Sequence, residues 1–254
     1  MAGDINALRA RGCEGSSASL TKLRTNRQLE GVAREWSKGG RLHAALERTK
    51  FRAVNSASVH IQGSRDDSKI VEAVRFAHCA SITNPQFTDI GVYRRGDNTW
   101  IVVALPFSPP TIAEAPAIGQ QVLALVNQAR ANPRRCGDKA FPAAKPVTLS
   151  ATLSRAALIH AQDMASHDLF EHIGSDGSTP GKRASRVGYS WGVVGENIAA
   201  GAATAEEVVS GWLASPTHCV NVMGAKFTQM GIAYVVDPNS EAGIYWAQEF
   251  ARPR

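Results

Sequence analysis

Residues 218–231 read HCVNVMGAKFTQMG, and residues 78–91 read HCASITNPQFTDIG. In both stretches a His-Cys pair is followed, after the same interval, by Phe-Thr and then a glycine. A second match lies upstream, where INALRA at 5–10 corresponds to VNQARA at 126–131, and a cysteine follows each. Several landmarks repeated in one order predict a duplicated domain.

Each copy ends in two short runs that are rich in β-branched and aromatic residues, with turn-forming residues between them. The runs cover 90–93 and 99–105 in the first copy, and 230–236 and 244–250 in the second. This pattern is typical of a β-hairpin. Helical patterns precede the hairpins, most clearly at 156–165 and at its counterpart 29–36. The predicted fold class is therefore α+β.

A proline-rich stretch separates the two copies. Residues 108–117 read SPPTIAEAPA, which contains three prolines and no hydrophobic period. We therefore predict one domain at 1–108, a linker at 109–117 and a second domain at 118–254. A chain of 254 residues is long enough for two hydrophobic cores.

The four cysteines allow three pairings if all of them are bonded. The repeat selects Cys13 with Cys79 and Cys136 with Cys219, so that each bond stays inside one copy. The alternative is four free, buried thiols. Disulfides persist in oxidising compartments, so the pairing favours the cell envelope or the outside of the cell. The chain opens MAGDIN, which does not resemble an export signal. Either the protein stays inside the cell or its export signal has been removed, and the expected disulfides favour removal.

The bulk composition restricts the class of partner. With 44% hydrophobic and 20% charged residues the chain is globular, and no apolar run reaches the length of a membrane-spanning helix. The formal net charge of +6 favours anionic surfaces. The basic residues are scattered rather than collected with aromatic residues, so we expect no nucleic-acid partner.

Four motifs of the second copy carry a family resemblance. They are His172-Ile-Gly-Ser-Asp-Gly177, Gly195-Glu-Asn-Ile-Ala199, Trp212-Leu-Ala-Ser-Pro-Thr-His218, and a closing pair formed by Phe227-Thr-Gln-Met-Gly231 with Tyr245-Trp246-Ala-Gln248. Together, over about residues 120–252, they resemble the CAP superfamily (cysteine-rich secretory proteins, antigen 5 and pathogenesis-related 1) in its bacterial SCP-like form. The resemblance implies an α-β-α sandwich with a small antiparallel sheet between helices. It also implies a cleft lined by His and Glu.

The first copy has the same frame without the motifs of that cleft. Cys13, His78, Cys79 and a hairpin are present, but the Gly-Glu-Asn-Ile-Ala segment has no counterpart. His43 is a candidate equivalent of His172. We therefore interpret the first copy as a degenerate CAP-like domain with a structural or partner-binding role, so that the chain is a tandem of two CAP-like sandwiches.

His172, Glu196 and His218 are the candidate site residues. Two imidazoles and a carboxylate are able to ligate zinc and leave a position open for water, which permits metal-assisted hydrolysis. Without metal, one histidine could act as a general base oriented by Glu196. The resemblance is incomplete, because the family places a histidine where Lys226 stands and a glutamate where Ser215 stands. Only His172 and Glu196 match directly, and His218 is the bacterial substitute.

Two of these residues also have a purely structural interpretation. Glu196 is able to brace a turn through backbone N–H groups, and His218 is able to pack beside its cysteine. Trp212 and Trp246 are expected in the core.

Other polar residues near the predicted cleft have less specific interpretations. His160 and His167 are interpreted as surface residues. Arg183 and Arg186 follow the cleft loop, where they either meet an anionic partner or form a solvated helix face.

The function expected from these features is a secreted or cell-envelope binding module that acts through the His/Glu-lined cleft and is not an enzyme. No nucleophile elbow, Walker motif or HExxH helix is present. Candidate partners are an envelope protein, a cell-wall polymer or a lipid. The alternatives are a zinc-dependent hydrolase of peptides or envelope polymers, and a lipid or sterol carrier with an apolar groove.

Overall fold

The computed structural model describes residues 1–13, 18–19 and 21–254 and confirms the α+β class. The chain divides into two compact units, Met1–Phe107 and Ser108–Arg254. No helix in the described part of the chain is long and apolar enough to cross a bilayer.

Unit 1 is built on one mixed sheet. Its elements are α1 (Ala2–Arg11), β1 (Arg24–Thr25), α2 (Arg27–Trp36), α3 (Leu42–Thr49), β2 (Ala53–Ile61), α4 (Asp67–Ala77), α5 (Cys79–Thr83), β3 (Asp89–Arg95) and β4 (Asn98–Pro106). The strand order is β1-β3-β4-β2, with β1 parallel to β3 and the other pairs antiparallel.

Strand β4 shows how unit 1 buries both faces of its sheet. Successive side chains of a strand point to opposite faces. Ile101 and Val103 pack with residues of α1, α4 and α5, whereas Trp100 and Val102 pack with residues of α2 and α3. Helices therefore cover both faces of the sheet in this unit.

Unit 2 repeats this plan with additional elements. It contains a 3₁₀ turn (Ile112–Glu114), α6 (Ala115–Arg130), β5 (Arg134–Cys136), β6 (Lys139–Phe141), β7 (Thr148–Leu149), α7 (Ala151–His167), α8 (Pro180–Arg186), β8 (Trp191–Ala200), α9 (Ala205–Ala214), α10 (Pro216–Val222), β9 (Gln229–Val236) and β10 (Ile244–Pro253). The order of its main sheet is β7-β9-β10-β8, and β7 is parallel to β9. The hairpins predicted from both closing runs are present as β3–β4 and β9–β10.

Side-chain caps set the starts of the principal helices. Asn26 accepts from the N–H groups of the first turn of α2, and Ser150 does so for α7. Thr204 caps α9 in the same way, while the carboxylate of Glu207 reaches back to the N–H of Ala203. Such caps satisfy N–H groups that have no partner inside a helix.

A buried arginine explains why the VNQARA segment recurs. Arg130 is fully buried, and its guanidinium donates to the carbonyl oxygens of Val222 at 2.7 Å, Gly224 at 3.1 Å and Phe227 at 3.3 Å. Asn127, three residues earlier, exchanges two hydrogen bonds of 2.9 Å with the backbone of Val147. The segment thus holds the loop between α10 and β9.

Arg9 and Asn6 make the matching contacts in unit 1. Arg9 is buried and donates to the carbonyl oxygens of Ile82, Asn84 and Phe87. Asn6 exchanges two hydrogen bonds with the backbone of Leu23. The two sequence landmarks therefore perform one physical task in both units.

Both disulfides have the pairing that the repeat selects. Cys13 is bonded to Cys79, and Cys136 is bonded to Cys219. Each bond links the segment that follows the first α-helix of a unit, which in unit 2 is strand β5, to the short helix that precedes its hairpin. The alternative of four free thiols is wrong.

The predicted linker differs from the structure over much of its length. Residues 112–114 form the 3₁₀ turn, and α6 begins at Ala115. Thr111 and Glu114 form a capping box, and the hydroxyl of Tyr234 donates to the carbonyl of Thr111 at 2.5 Å. Proline is tolerated in the first turn of a helix, so Pro116 does not exclude α6. The unit boundary falls between Phe107 and Ser108.

Replacing Arg130 with methionine tests its role in unit 2. The substitution keeps much of the side-chain volume but leaves several buried carbonyl groups without a donor, and each such group costs about 1–3 kcal/mol. We expect Arg130→Met to lower the apparent free energy of unfolding in urea by about 3 kcal/mol or more. Arg134→Met, at an exposed position of β5, is the control. Equal stability of the two variants would contradict this role.

Candidate functional site

Glu196 is the centre of the candidate site. It lies on β8, directly opposite Glu249 of β10, and its side chain is only 1% exposed. The preceding Gly195 is required here, because a Cβ at this position would lie 2.8 Å from the ring of Phe227. Close packing against the α10–β9 loop therefore fixes this part of β8, while the side chain of Glu196 points to the opposite face of the strand, where Arg183 and His160 lie.

Two cationic or polar donors hold the two carboxylate oxygens of Glu196. Nδ1 of His172 donates to Oε1 at 2.8 Å, and Nη2 of Arg183 donates to Oε2 at 2.6 Å. Arg183 also donates to the carbonyl oxygens of Ser178 at 2.8 Å and of His172 at 3.0 Å. One guanidinium thus fixes both the charge of Glu196 and the loop that carries His172.

The position of Arg183 was not predicted correctly. Its side chain is 1% exposed, so it is neither a solvated helix residue nor free to meet a partner. Arg186, one turn later, is half-exposed and pairs with Asp176. The buried face of the short helix α8 decides the difference, and seven residues of sequence are too few for a clear period.

His160 is a second correction. It was interpreted as a surface residue, but it is fully buried and its Nε2 donates to the carbonyl of Glu171 at 2.9 Å. The same nitrogen lies 3.7 Å from Oε1 of Glu196. The signal was present in the sequence, because His160 shares the helical face of Ala156, Ala157 and Met164.

His167 has the exposed position that was expected. Its side chain is 56% exposed, and its Nδ1 lies 3.1 Å from Oδ1 of Asp163. Trp212 and Trp246 are also confirmed as core residues, since both are almost fully buried.

Glu249 is the site residue that the sequence analysis missed. It is fully buried, and its carboxyl oxygens have no partner that carries a proton of its own. Burial, and then the charge of Glu196, raise the pKa of Glu249 well above its ordinary value. Two buried carboxyl groups in contact cannot both be ionised at modest cost. The neutral form of Glu249 is therefore favoured beside the charged Glu196.

The pKa of Glu196 moves in the opposite direction. Burial alone would raise it, but the hydrogen bond from His172 and the charge of Arg183 together lower it below its ordinary value. The pair consequently holds one negative charge, on Glu196, opposite one guanidinium. A signal existed for Glu249, since an acidic residue inside the apolar run YWAQEFA is rarely buried without a specific partner.

The pKa values of the two candidate histidines are shifted in opposite directions. The hydrogen bond to Glu196 raises the pKa of His172, although partial burial opposes it. Burial, and then the charge of His172, lower the pKa of His218. His218 lies on α10, and its carbonyl accepts a 3.3 Å hydrogen bond from Asn197 of β8. His172 is thus hydrogen-bonded directly to Glu196, whereas His218 senses His172 only through the positive charge of the His172 imidazolium.

An amide network fastens α10 to the strand that carries Glu196. Nδ2 of Asn221 donates to the carbonyl of Glu196 at 2.9 Å and to Oδ1 of Asn197 at 3.0 Å. Nδ2 of Asn197 in turn donates to Oε1 of Gln248 at 3.1 Å. The asparagine of the Gly-Glu-Asn-Ile-Ala motif is therefore a structural clamp.

These residues do not fit a zinc site in this arrangement. Both oxygens of Glu196 already accept hydrogen bonds, one of them from a buried guanidinium. Across the described ranges of the chain, no group of three or more His, Cys, Asp or Glu side chains is arranged to hold a metal ion. The ammonium group of Lys226 lies 5.2 Å from the ring centroid of Phe227, on an exposed side chain.

The suggested counterpart in unit 1 is a surface residue. His43 lies on α3 with its side chain 82% exposed, and its Nε2 is 3.1 Å from Oε1 of Glu47 on the same helix. It has no buried carboxylate partner comparable to Glu196. Unit 1 therefore has no equivalent of the His172–Glu196 contact at this position.

Fold and site together define unit 2 as a disulfide-bonded α+β domain in which a buried carboxylate holds a half-exposed histidine. Residues 123–250, about half of the chain, match the family described as the cysteine-rich secretory protein family, CAP. The chain belongs to this family.

Known relatives resemble only part of the chain. The uncharacterized protein YkwD of Bacillus subtilis (strain 168) is 37% identical over 106 residues, which are 42% of this chain and 39% of YkwD. The chain therefore spans well under half of that relative.

Solved structures with similar folds are more distant. An extracellular protein containing a SCP domain from Bacillus anthracis has a TM-score of 0.46 at 17% identity, over 77% of each chain. An outer surface protein of Borrelia burgdorferi has a TM-score of 0.41 at 18% identity, over 53% of this chain and 89% of its own.

Glu249→Gln tests the shared proton. Above about pH 4.3 a glutamate in the unfolded chain is ionised, whereas the raised pKa of Glu249 keeps its neutral form favoured in the folded protein. The free energy of unfolding of the wild type therefore falls as the pH rises from about 4.3 to the pKa of folded Glu249. Glutamine offers an N–H donor to Glu196 and needs no proton. We expect the melting temperature of Glu249→Gln, relative to that of the wild type, to rise by several degrees between about pH 5 and pH 8.

The control for this experiment is Glu72→Gln, at an exposed position of α4 in unit 1, outside the site. Its melting temperature should follow the wild type across the whole pH range. If Glu249→Gln also ran parallel to the wild type, Glu249 would be ionised in the folded protein and the assignment would be wrong.

Proposed function

We propose that this chain is a secreted or cell-envelope binding module, which recognises its partner through His172 at the surface of unit 2. The observation that carries the proposal is the fixed orientation of the half-exposed His172 side chain. Its imidazole is 49% exposed, while the carboxylate that holds Nδ1 is buried. A recognition group is more effective when its orientation is fixed before binding.

The surroundings of His172 support a contact surface. Phe170 and Ile173 are large apolar residues on the same loop, and each is about half exposed. A fixed polar group between exposed apolar side chains is a common arrangement at protein interfaces, where a desolvated centre needs a specific polar contact. An envelope protein with an acidic group fits this chemistry, and a cell-wall polymer with anionic groups is the alternative partner.

Charge favours an anionic partner. Glu196 is neutralised by Arg183, and the raised pKa of His172 increases the fraction of its cationic form. The formal net charge of +6 acts in the same direction at longer range. A catalytic role has less support, because no side chain with an activated nucleophile contacts His172 among the described residues.

The tandem interpretation is part of this proposal. Both units share one sheet order, one pattern of buried Arg and Asn contacts, and one disulfide each. A degenerate CAP-like copy in unit 1 accounts for these similarities and for the lack of a buried Glu–His pair at His43. Its role is then structural or lies in partner binding.

His172→Ala tests the binding surface. Loss of one charge-assisted hydrogen bond should weaken binding about tenfold. The probes are purified cell-wall sacculi, phosphatidylglycerol vesicles and immobilised envelope proteins, with binding measured by co-sedimentation or surface plasmon resonance. Binding should also weaken as the pH rises through the pKa of His172, because the imidazolium is lost.

His167→Ala is the matched control, since His167 is exposed on α7 and lies outside the site. It should bind like the wild type. Unchanged affinity of His172→Ala for every probe that the wild type binds would contradict the proposal.

Lipid binding is a second candidate, because a cavity of about 340 Å³ lies in unit 2 between the first turns of α6 and α7. Ile118, Leu158 and Ile232 are among the residues that line it. Of the described lining residues, Arg155 is charged and the others are not. This volume is at the lower end of the range for small-molecule sites, about 300–1,000 Å³. An acyl chain with an acidic head group fits these features.

Gly119→Leu tests this second candidate. A Cβ at Gly119 would lie 3.6 Å from Cγ2 of Ile232, so a leucine side chain would occupy the cavity. We expect the variant to lose binding of a fluorescent fatty acid. Gly211→Leu on α9 is the control, because a Cβ there has nothing within 4 Å. Equal binding by both variants would exclude this cavity as the site.

A further inference from the structure

Strand β2 forms an edge of the unit 1 sheet. It pairs antiparallel with β4 along one side, and within the described residues no strand pairs with its other side. Alternate N–H and C=O groups of an edge strand point away from the sheet, where they form a template for another strand. Natural sheets usually shield such edges with charged side chains, proline, bulges or very short strands.

The other main-sheet edges carry such protection. Strands β1 and β7 are two residues long. Strand β8 contains the inward-facing Glu196 and packs against α8 and α10. Strand β2, by contrast, is nine residues long and contains neither proline nor Asp, Glu, Lys or Arg. Its one irregularity lies at Val54, which leaves Asn55–Ile61 in regular register with β4.

The side chains of this regular segment leave room for a neighbour. Ser56 and Ser58 share one face of the strand, while Ala57 and Val59 share the other and pack with the core that contains Ile101. Ser56, Ala57 and Ser58 are all half-buried. No bulky side chain in this stretch obstructs an approaching strand.

We propose that β2 is an interaction edge for a second copy of this chain, whose own β2 pairs with it antiparallel about Ser58. A two-fold axis there places Ser58 opposite itself and extends the sheet from four strands to eight. The same axis sets Ala57 opposite Val59, and Ser56 opposite His60. Ala57 and Val59 thus meet each other on the core face, and Ile61 lies opposite Asn55 at either end of the paired segment.

Self-pairing is favoured here because an uncharged strand brings no like charges together. Like charges directly opposite each other destabilise antiparallel pairs, and a strand that pairs with itself about a two-fold axis is especially exposed to this penalty. The regular segment offers only seven residues, so the dimer is reversible. Because each chain carries a net charge of +6, added salt should strengthen it.

Cysteine cross-linking tests the register. The four native cysteines are bonded to one another, so an introduced cysteine is the free thiol of the protein. At Ser58 the two Cβ atoms would lie about 4.5–5.5 Å apart across the axis. At Ser56 the two copies of the residue would be four positions apart, about 13 Å, which is too far for a disulfide.

We expect Ser58→Cys to form a covalent dimer under mild oxidation, and Ser56→Cys to remain monomeric on non-reducing gels. Both changes replace one small side chain with another, so they serve as matched variants. Cross-linking of both at the same rate would indicate random collision and overturn the proposal. The absence of dimer with Ser58→Cys would overturn it as well.

Charge substitution gives an independent readout. Ser58→Lys places two ammonium groups opposite each other at the axis, and should abolish the dimer that analytical ultracentrifugation detects for the wild type at high concentration. Phe76→Lys, at a 90% exposed position on α4, is the control and should dimerise normally. Circular dichroism confirms that each variant is folded. A wild type that stays monomeric, or a Ser58→Lys variant that still dimerises, would contradict the proposal.

Discussion

The ion pair between Glu196 and Arg183 is the interaction on which the candidate site depends. Both side chains are about 1% exposed, and their closest atoms are 2.6 Å apart. A buried charge is tolerated only when it is paired and hydrogen-bonded, and removing one partner of such a pair costs about 3–5 kcal/mol. The pair therefore fixes β8, α8 and the His172 loop relative to one another, since the guanidinium contacts all three.

Glu249 adds a second constraint to the same cluster. A neutral carboxyl group opposite Glu196 places no second negative charge beside the buried anion. His160 lines the other side and remains neutral, because burial lowers its pKa. The cluster around Glu196 thus contains a single compensated charge pair, and the half-exposed ring of His172 is the part of the cluster that meets solvent.

The fold itself rests on simpler rules, and most of it was predictable. Hairpins followed from the closing runs, and the cysteine pairing followed from the repeat. The INALRA and VNQARA segments marked the buried arginines, although their contacts with the α5–β3 and α10–β9 loops were not foreseen. Two residue placements predicted from the sequence are wrong. His160 is in the core, as its helical period favoured, and not at the surface. Residues 112–117 form a 3₁₀ turn and the start of α6 instead of a linker, because proline is allowed in a first helical turn.

The sequence by itself determined the family, the α+β class, the disulfides and the identities of His172 and Glu196, because these depend on motifs and periods of a few residues. Only the tertiary structure decided that Arg183 and Glu249 belong to the site. Their burial results from the packing of α8 against β8 and from the register of β10 against β8, which bring together residues 13 and 53 positions away from Glu196. Local sequence patterns do not show which distant residues come into contact. Once these residues are buried together, each needs the others, because an unpaired buried charge is costly.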